Sequence, residues 1–433
     1  MLEAICRVHQ LLTFEIKDII SLVFIRYKTD GKGKSVPVAK IYTNKEHPIK
    51  NSMIDRDALW AIRKLQASGA EAYVVGGSIR DLMLGRIPKD FDIATSASPR
   101  QVQRLFWNSR IIGKRFRIVH LFFGEKIIEV TTFRSEEENF EEGNNNIFGT
   151  IEQDAKRRDF SINALYYNPQ NGQLLDFCDG MEDFKKKVIR SLIPLKYSFS
   201  EDPVRMLRAI KYHVSTGFAL KLNVKLAIKK NAPCIGSCST SRMTEEIMKI
   251  LSSGCSAEIM QCLYKYKLLQ YILPCYSVYV GFPAVIASLK ELDNKVSASR
   301  EDGEKVSKSD MFYHMIKPAI MFDKLEDLST EEIFKDVFRQ AKILVSPATP
   351  PNYELEKAAS MILADYGYST NKGRKTAKKR VQSAKRANTA QRKPGDSKSP
   401  SRKKAIKKGP VKMEEARGEA KSEPKTLAES HDL

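Results

Sequence analysis

Two stretches, Ala72-Tyr-Val-Val-Gly-Gly-Ser-Ile-Arg-Asp81 and Lys89-Asp-Phe-Asp-Ile-Ala-Thr95, decide how this chain folds. The first reads as a short β-rich run, Ala72–Val75, closed by Gly76-Gly77 and followed by a helix that stops at Gly85. The second reads as a strand, Phe91–Thr95. Working outward, Asp55–Ser68 has Leu59, Ala61, Ile62 and Leu65 at helical spacing, with Gly69 as its stop. Ser98-Pro99 opens another helix with proline in its first turn. Strands are expected at Arg110–Ile112, Ile118–Phe123 and Lys126–Phe133. A small mixed α/β unit results. From Leu192 onward the pattern becomes helical, with segments at Ser252–Leu269, Phe282–Leu292 and Ile333–Leu344, and polar Asp293–Lys308 expected as a loop. Residues 1 to about 50 read as an irregular extension, with Asp30–Lys34 as a loop.

The chain has 433 residues, too many for one ordinary core, and a formal net charge of +21. A polyanion is the partner such a charge implies. Residues 371–412 hold 17 lysines and arginines against one aspartate, Asp396, so most of the excess sits in one short stretch. After Tyr368 there is no aromatic residue, and that composition is expected to remain disordered. Seven cysteines without framework spacing indicate a reduced, cytoplasmic protein, and no structural zinc is expected. The apolar run Leu11–Tyr27 is broken by Glu15, Lys17 and Asp18, so no membrane span is expected.

Side chains alternate along a strand, so Asp90 and Asp92 should share a face while Phe91 points into the core. Two carboxylates on one face repel unless a cation lies between them, and Mg²⁺ prefers such oxygen ligands together with substrate phosphates. A two-metal site would suit an in-line phosphoryl displacement. Two solvent-exposed strand carboxylates would look the same in sequence. Gly76 and Gly77 let a phosphate approach the backbone amides, and Arg80 would donate to a triphosphate, although a tight turn alone also explains either glycine. Glu129, charged amid an apolar strand, joins the metal site if its strand lies beside Phe91–Thr95, and otherwise faces solvent.

Gly76–Asp81, Lys89–Thr95, Arg157-Arg-Asp-Phe-Ser-Ile-Asn-Ala164 and Glu201-Asp-Pro-Val-Arg-Met-Leu-Arg208 occur in that order. Together they resemble the class II nucleotidyltransferases of the polymerase-β superfamily, the family of bacterial poly(A) polymerases and CCA-adding tRNA enzymes. The resemblance implies an α+β protein: a polymerase-β-like mixed-sheet head over 52–190, behind an N-terminal extension 1–51. A helical neck with the base-recognition helix follows over 191–275, then a helical RNA-binding body over 276–365 and a disordered basic tail over 366–433. It makes Asp90, Asp92 and Glu129 the metal-binding carboxylates and adds Asp159 to the catalytic set. Arg158, Asp159 and Asn163 would handle ribose and triphosphate, and Asp202, Arg205 and Arg208 the incoming base.

The last role also has a physical reading. Ser200–Pro203 is expected as a helix start, placing 202, 205 and 208 on one face. A carboxylate accepts from an exocyclic amine and a guanidinium donates to a ring acceptor, so an Asp–Arg pair suits adenine and cytosine and rejects guanine and uracil without a template. An ordinary helix-stabilising ion pair has the same spacing.

Ile111-Ile-Gly-Lys-Arg-Phe-Arg-Ile-Val-His-Leu121 resembles the signature separating poly(A) polymerases from CCA-adding relatives, with Lys114 where arginine is usual. His120 there either contacts RNA or packs as a strand residue. The basic stretch 371–412 suits varied RNA 3′ ends, since it attracts phosphate without reading sequence. The expected activity is addition of AMP from ATP to RNA 3′ ends by a monomer, the rivals being CCA addition to tRNA and a catalytically silent RNA-binding protein.

Overall fold

The computed structural model describes residues 23–29, 33–113, 117–135, 148–302, 305–322 and 328–368. Lys114, the apolar run up to Leu22 and the basic stretch 371–412 lie outside them. The head is one nine-stranded sheet in the order β1-β2-β9-β8-β3-β4-β7-β6-β5. Its strands are β1 (Phe24–Thr29), β2 (Ser35–Tyr42), β3 (Ala72–Val75), β4 (Asp92–Thr95), β5 (Ser109–Ile112), β6 (Ile118–Phe123), β7 (Lys126–Thr132), β8 (Leu165–Asn168) and β9 (Gln173–Asp176). The β1–β2 hairpin corrects the expectation of an irregular N-terminal extension, for β2 adds to β9 by backbone pairing. Its residues are mostly exposed, and so lack the apolar alternation that marks a half-buried strand.

One face of the sheet packs on α1 (Arg56–Ala67) and α3 (Pro99–Leu105). Asp55 caps α1 by accepting from the Asp57 and Ala58 amides, and Gly69 turns the chain away with φ +85°. Ser98 and Gln101 form a capping box on α3, with Pro99 at the first position. α2 (Gly77–Met83) leads out of β3. The opposite face packs on α4 (Ile151–Lys156) through Ile151 and Ala155 against Tyr73, Val75 and Ala94. α5 (Gly180–Lys186) leads to the short β10 (Val188–Ile189), which pairs in parallel with β11 (Ala219–Leu220) and ties the head to the helical region.

The remainder of the described chain is helical: α6 (Leu195–Glu201), α7 (Val204–Thr216), α8 (Leu222–Asn231), α9 (Thr240–Leu251), α10 (Ser256–Lys265), α11 (Leu269–Ile272), α12 (Pro274–Ser277), α13 (Pro283–Asp302), α14 (Lys308–Ile316), α15 (Thr330–Val345) and α16 (Asn352–Asp365). They share one continuous core that reaches back into the head at Phe160 and Ile162. Asp293–Asp302 was expected in a loop and is helical. Leu292 and Val296 are buried, four residues apart, so the apolar face of α13 carries through an otherwise polar stretch. No helix among the described residues is long and apolar enough to cross a membrane.

One buried ionic network fastens the head. Asp154 is inaccessible and bonds Arg157 Nε at 3.0 Å, Arg158 Nη2 at 3.0 Å and the Tyr166 hydroxyl at 2.7 Å. Burial alone would raise its pKa, but the two guanidiniums and the Tyr166 hydroxyl hold it down at about 2. Because the folded value lies below the ordinary 3.8, the stability this group contributes is present above about pH 4 and lost as pH falls toward 2. Asp154→Ala would strand a buried arginine and should cost about 3–5 kcal/mol. Urea unfolding at neutral pH measures that loss, and the variant should show a flatter acid limb between pH 4 and 2.

Candidate active site

The site begins where β3 ends. Gly76 has φ +82°, and a β-carbon there would lie 3.3 Å from Asp92 Oδ2 and 3.8 Å from Arg158 Nη1. Glycine is therefore required twice, for the backbone conformation and for the space the carboxylate occupies. Gly77 has no such constraint: a β-carbon there would meet Arg80 only at ordinary contact distance.

The sheet then decides which carboxylates meet. β4 runs antiparallel to β3 and parallel to β7, and Asp92 lies opposite Glu129 in that parallel ladder. Glu129 thus takes the position expected of it, with about half of its side chain exposed and His120 Nε2 3.6 Å away. Asp90 does not share a strand face with Asp92. β4 starts at Asp92, because its β3 partner Val75 is the last strand residue before the Gly76 turn. Asp90 therefore precedes the strand and is exposed. Phe91 is half-buried and packs on the core as expected.

The electrostatics single out Asp92. Burial first, then the negative charges of Glu129 and Asp90, push its pKa up to about 6 against partial relief from Arg158 and Arg208. The centre carries more negative charge than its cations offset. Among the described residues no three histidine, cysteine or acidic side chains converge into a ready-made metal cage. The donor set nonetheless suits a hard divalent cation, since it consists of carboxylate oxygens around one destabilised charge and leaves room for substrate oxygens.

Around this centre the motif residues form two clusters. Arg80 donates to Asp81 Oδ1 from Nε at 2.9 Å and Nη2 at 2.7 Å, and from Nη1 to Asn163 Oδ1 at 3.1 Å. Arg158 donates from Nε to the Tyr166 hydroxyl at 2.9 Å, and so sits between Asp154 and the Asp92 side of the site. Asp159, expected in the catalytic set, accepts from the Phe160 amide and Asn163 through Oδ1, while its Oδ2 lies 2.8 Å from Arg208 Nε. That pair is close but not aligned as a hydrogen bond, and both buried atoms lack one. Asp159 thus joins head to helix α7.

The residues expected to read the base need one correction. Asp202 does not start a helix; it is the C-terminal cap of α6, and Pro203 opens α7. Proline cannot continue the α6 backbone ladder, which puts the break there. Arg205 Nη1 donates to Glu201 and to the Ser198 carbonyl, and its Nε is 4.0 Å from Asp202. Arg242 on α9 donates to Asp202 Oδ2 at 2.9 Å, whereas Asp202 Oδ1 is buried with no hydrogen-bond partner among the described residues.

Sequence reading missed Arg242, Tyr212, Asp154 and Tyr166. Tyr212 carries Arg80 4.8 Å above its ring and bonds Arg208 through its hydroxyl. Asp154 was findable from its spacing of three and four to Arg157 and Arg158. Arg242 and Tyr212 carry no motif.

Residues 72–190 match the family described as Poly A polymerase head domain. Residues 217–279 match a second family, described as "Probable RNA and SrmB- binding site of polymerase A". Three of the four motifs fall within the head match, and Glu201–Arg208 lies between the two matched stretches. Poly(A) polymerase I of Salmonella typhi is 39% identical over 286 residues, 60% of this chain and 60% of that protein. The CCA-adding enzyme of Geobacillus thermodenitrificans (strain NG80-2) is 37% identical over 220 residues, 50% of this chain and 54% of its own. The crystal structure of the Bacillus stearothermophilus CCA-adding enzyme in complex with CTP superposes with TM-score 0.48 at 25% identity, covering 73% of this chain and 83% of that one. The chain spans about 60% of the length of the poly(A) polymerase I it matches.

A folded-state pKa of about 6, above the ordinary 3.8, means the native protein holds the Asp92 proton more tightly than the unfolded chain does. Stability from this group therefore falls as pH rises from about 4 through 6. Asp92→Asn should melt about 2 °C higher than the parent at pH 7.5 without divalent ions. MgCl₂ should stabilise the parent and not the variant, and melting curves with and without the salt read both effects.

Proposed function

We propose that this chain transfers AMP from ATP to RNA 3′ ends without a template, releasing pyrophosphate. The observation that carries the reading is the Asp92–Glu129 carboxylate pair inside a matched Poly A polymerase head domain. The similarity to poly(A) polymerase I, higher in identity and in coverage than that to the CCA-adding enzyme, favours adenylates. The relatives' RNA chemistry agrees with a net charge of +21.

In the proposed reaction the RNA 3′-hydroxyl attacks the α-phosphorus of ATP, one P–O bond forming as the bond to pyrophosphate breaks. Asp92 and Glu129, with Asp90 from the preceding turn, would hold two Mg²⁺ ions. Bound there, the ions would lower the pKa of the hydroxyl and neutralise the leaving pyrophosphate. Arg80 and Asn163 form one bonded unit able to face the triphosphate and ribose, with Arg158 fixed behind Gly76. Asp202 reads the base. Arg242 holds one of its oxygens, and the other, buried and unpartnered, accepts the exocyclic amine of adenine. Guanine and uracil would set a carbonyl against that oxygen, leaving two acceptors unpaired. The stretch 371–412 supplies phosphate attraction that does not depend on sequence.

Addition to tRNA of a fixed CCA end is the second reading, favoured by the 37% identity to a CCA-adding enzyme. Product length separates the two. With ATP alone on an unstructured RNA, long A tracts are expected; a stop after three additions, requiring CTP and tRNA, would refute polyadenylation. Asp202→Ala should lower use of ATP relative to GTP by about tenfold to a hundredfold in kcat/KM, the size of one lost buried polar contact. Single-turnover assays with each triphosphate measure it.

A further inference from the structure

We propose that the open half of the head sheet, the row Asp92, Glu129, His120 and Arg110 with Phe122 beside it, is the platform on which the 3′-terminal nucleotides of the acceptor RNA lie. This rests on the nucleotidyl-transfer reading above and names where its second substrate sits.

The row follows from register. Asp92 pairs with Glu129 across β4 and β7, Glu129 with His120 across β7 and β6, and His120 with Arg110 across β6 and β5. Directly paired residues share a face, so the four side chains project on one side. Three strand spacings take the row about 14 Å from the catalytic carboxylate to the sheet edge.

Burial shows that this face is open. Val119 and Leu121 of β6 and Ile128 and Val130 of β7 are buried against the α1–α3 side. Their neighbours Ile112, Phe122 and Ile127 are 39%, 36% and 42% exposed on the other. The layer from α4 covers β3, β4 and β8 through Tyr73, Val75, Ala94 and Tyr166, and includes no side chain of β5 or β6. Among the described residues that cover ends at β4, beside Asp92.

The chemistry of the uncovered half selects the occupant. His120 and Phe122 are two strand positions apart, with ring centroids 6.3 Å from each other, and Ile127 lies directly opposite Phe122. Rings and aliphatic surface suit stacked bases, and Arg110 at the edge suits a phosphate. A protein partner would find a strip that alternates apolar and charged groups and runs into a carboxylate centre. A single strand whose last hydroxyl must reach Asp92 matches both ends of it.

The test uses the full chain with Phe122→Ala and Arg110→Ala, both at exposed positions where folding is retained, as circular dichroism would verify. Each variant should raise KM for a short oligoadenylate about tenfold while leaving KM for ATP unchanged, the scale of one lost base stack or phosphate contact. An oligonucleotide with a 3′-terminal photoreactive 4-thiouridine should crosslink to the peptide spanning residues 118–129. Unchanged RNA KM in both variants, or crosslinks confined to residues outside 109–129, overturns the platform. So does a change in sedimentation of either variant without an RNA effect, which would make the face a contact between copies. Crosslinking needs no turnover, so a parent protein that extends no RNA would refute the proposed function while the platform is still judged by where the crosslink falls.

Discussion

Among the described strands of the head sheet, β4 and β7 alone run parallel to one another, and the proposed chemistry depends on that pairing. Parallel neighbours need a long crossover, here filled by α3 and the β5–β6 hairpin. The crossover brings Glu129 from a distant part of the chain into register with Asp92. Two carboxylates so placed are unfavourable, and the fold tolerates them because β4 is held on both faces and β7 on one. Ile93 and Val130 bury into the α1–α3 core, and Ala94 lies under α4. Sheet stability thus stores a negative charge that the head alone does not neutralise, and Asp92, with its pKa near 6, is where the cost appears.

The cations around the site divide between two tasks. Arg158 is spent partly on Asp154 and Tyr166 inside the head, so its relief of Asp92 is only partial. Arg208 comes from α7, outside the sheet, and faces Asp159. Arg80 and Arg208 both lean on Tyr212, so one aromatic ring on α7 carries a guanidinium from α2 and one from its own helix. These contacts, with the β10–β11 bridge, couple the position of α7 to that of the carboxylates. A shift of α7 moves Arg205 together with Arg208, so the contacts of Arg205 and the charge balance at Asp92 change as one.

Within the head, the stretch from α1 to β7 was legible in sequence because β3, β5 and β6 are short runs closed by glycine and α1 and α3 carry caps at their starts, whereas α4, β8, β9 and α5 were not assigned. Ile118–Phe123 was read to the residue. Glu129 could be placed conditionally, since a charge amid β-branched neighbours demands a reason, but only the register supplies it. Asp90 was misread as a strand residue because alternation in sequence cannot show where the partner strand ends. The β1–β2 hairpin was invisible for another reason: a mostly exposed edge has no burial pattern to reveal it. Asp293–Asp302 was obscured by polar residues outnumbering the few that touch the core.

Asp202 shows why the remainder lay beyond sequence. Its neighbour Arg205 looked like its partner by spacing, yet the stronger bond comes from Arg242, forty residues on and on another helix. A pair three apart on one helix would satisfy itself and leave little for a ligand. A carboxylate gripped from one side by a remote arginine keeps its second oxygen buried and unmatched, at a cost only a bound donor removes. The proposed base specificity depends on that unsatisfied atom, and no sequence pattern records which atoms a fold leaves unsatisfied.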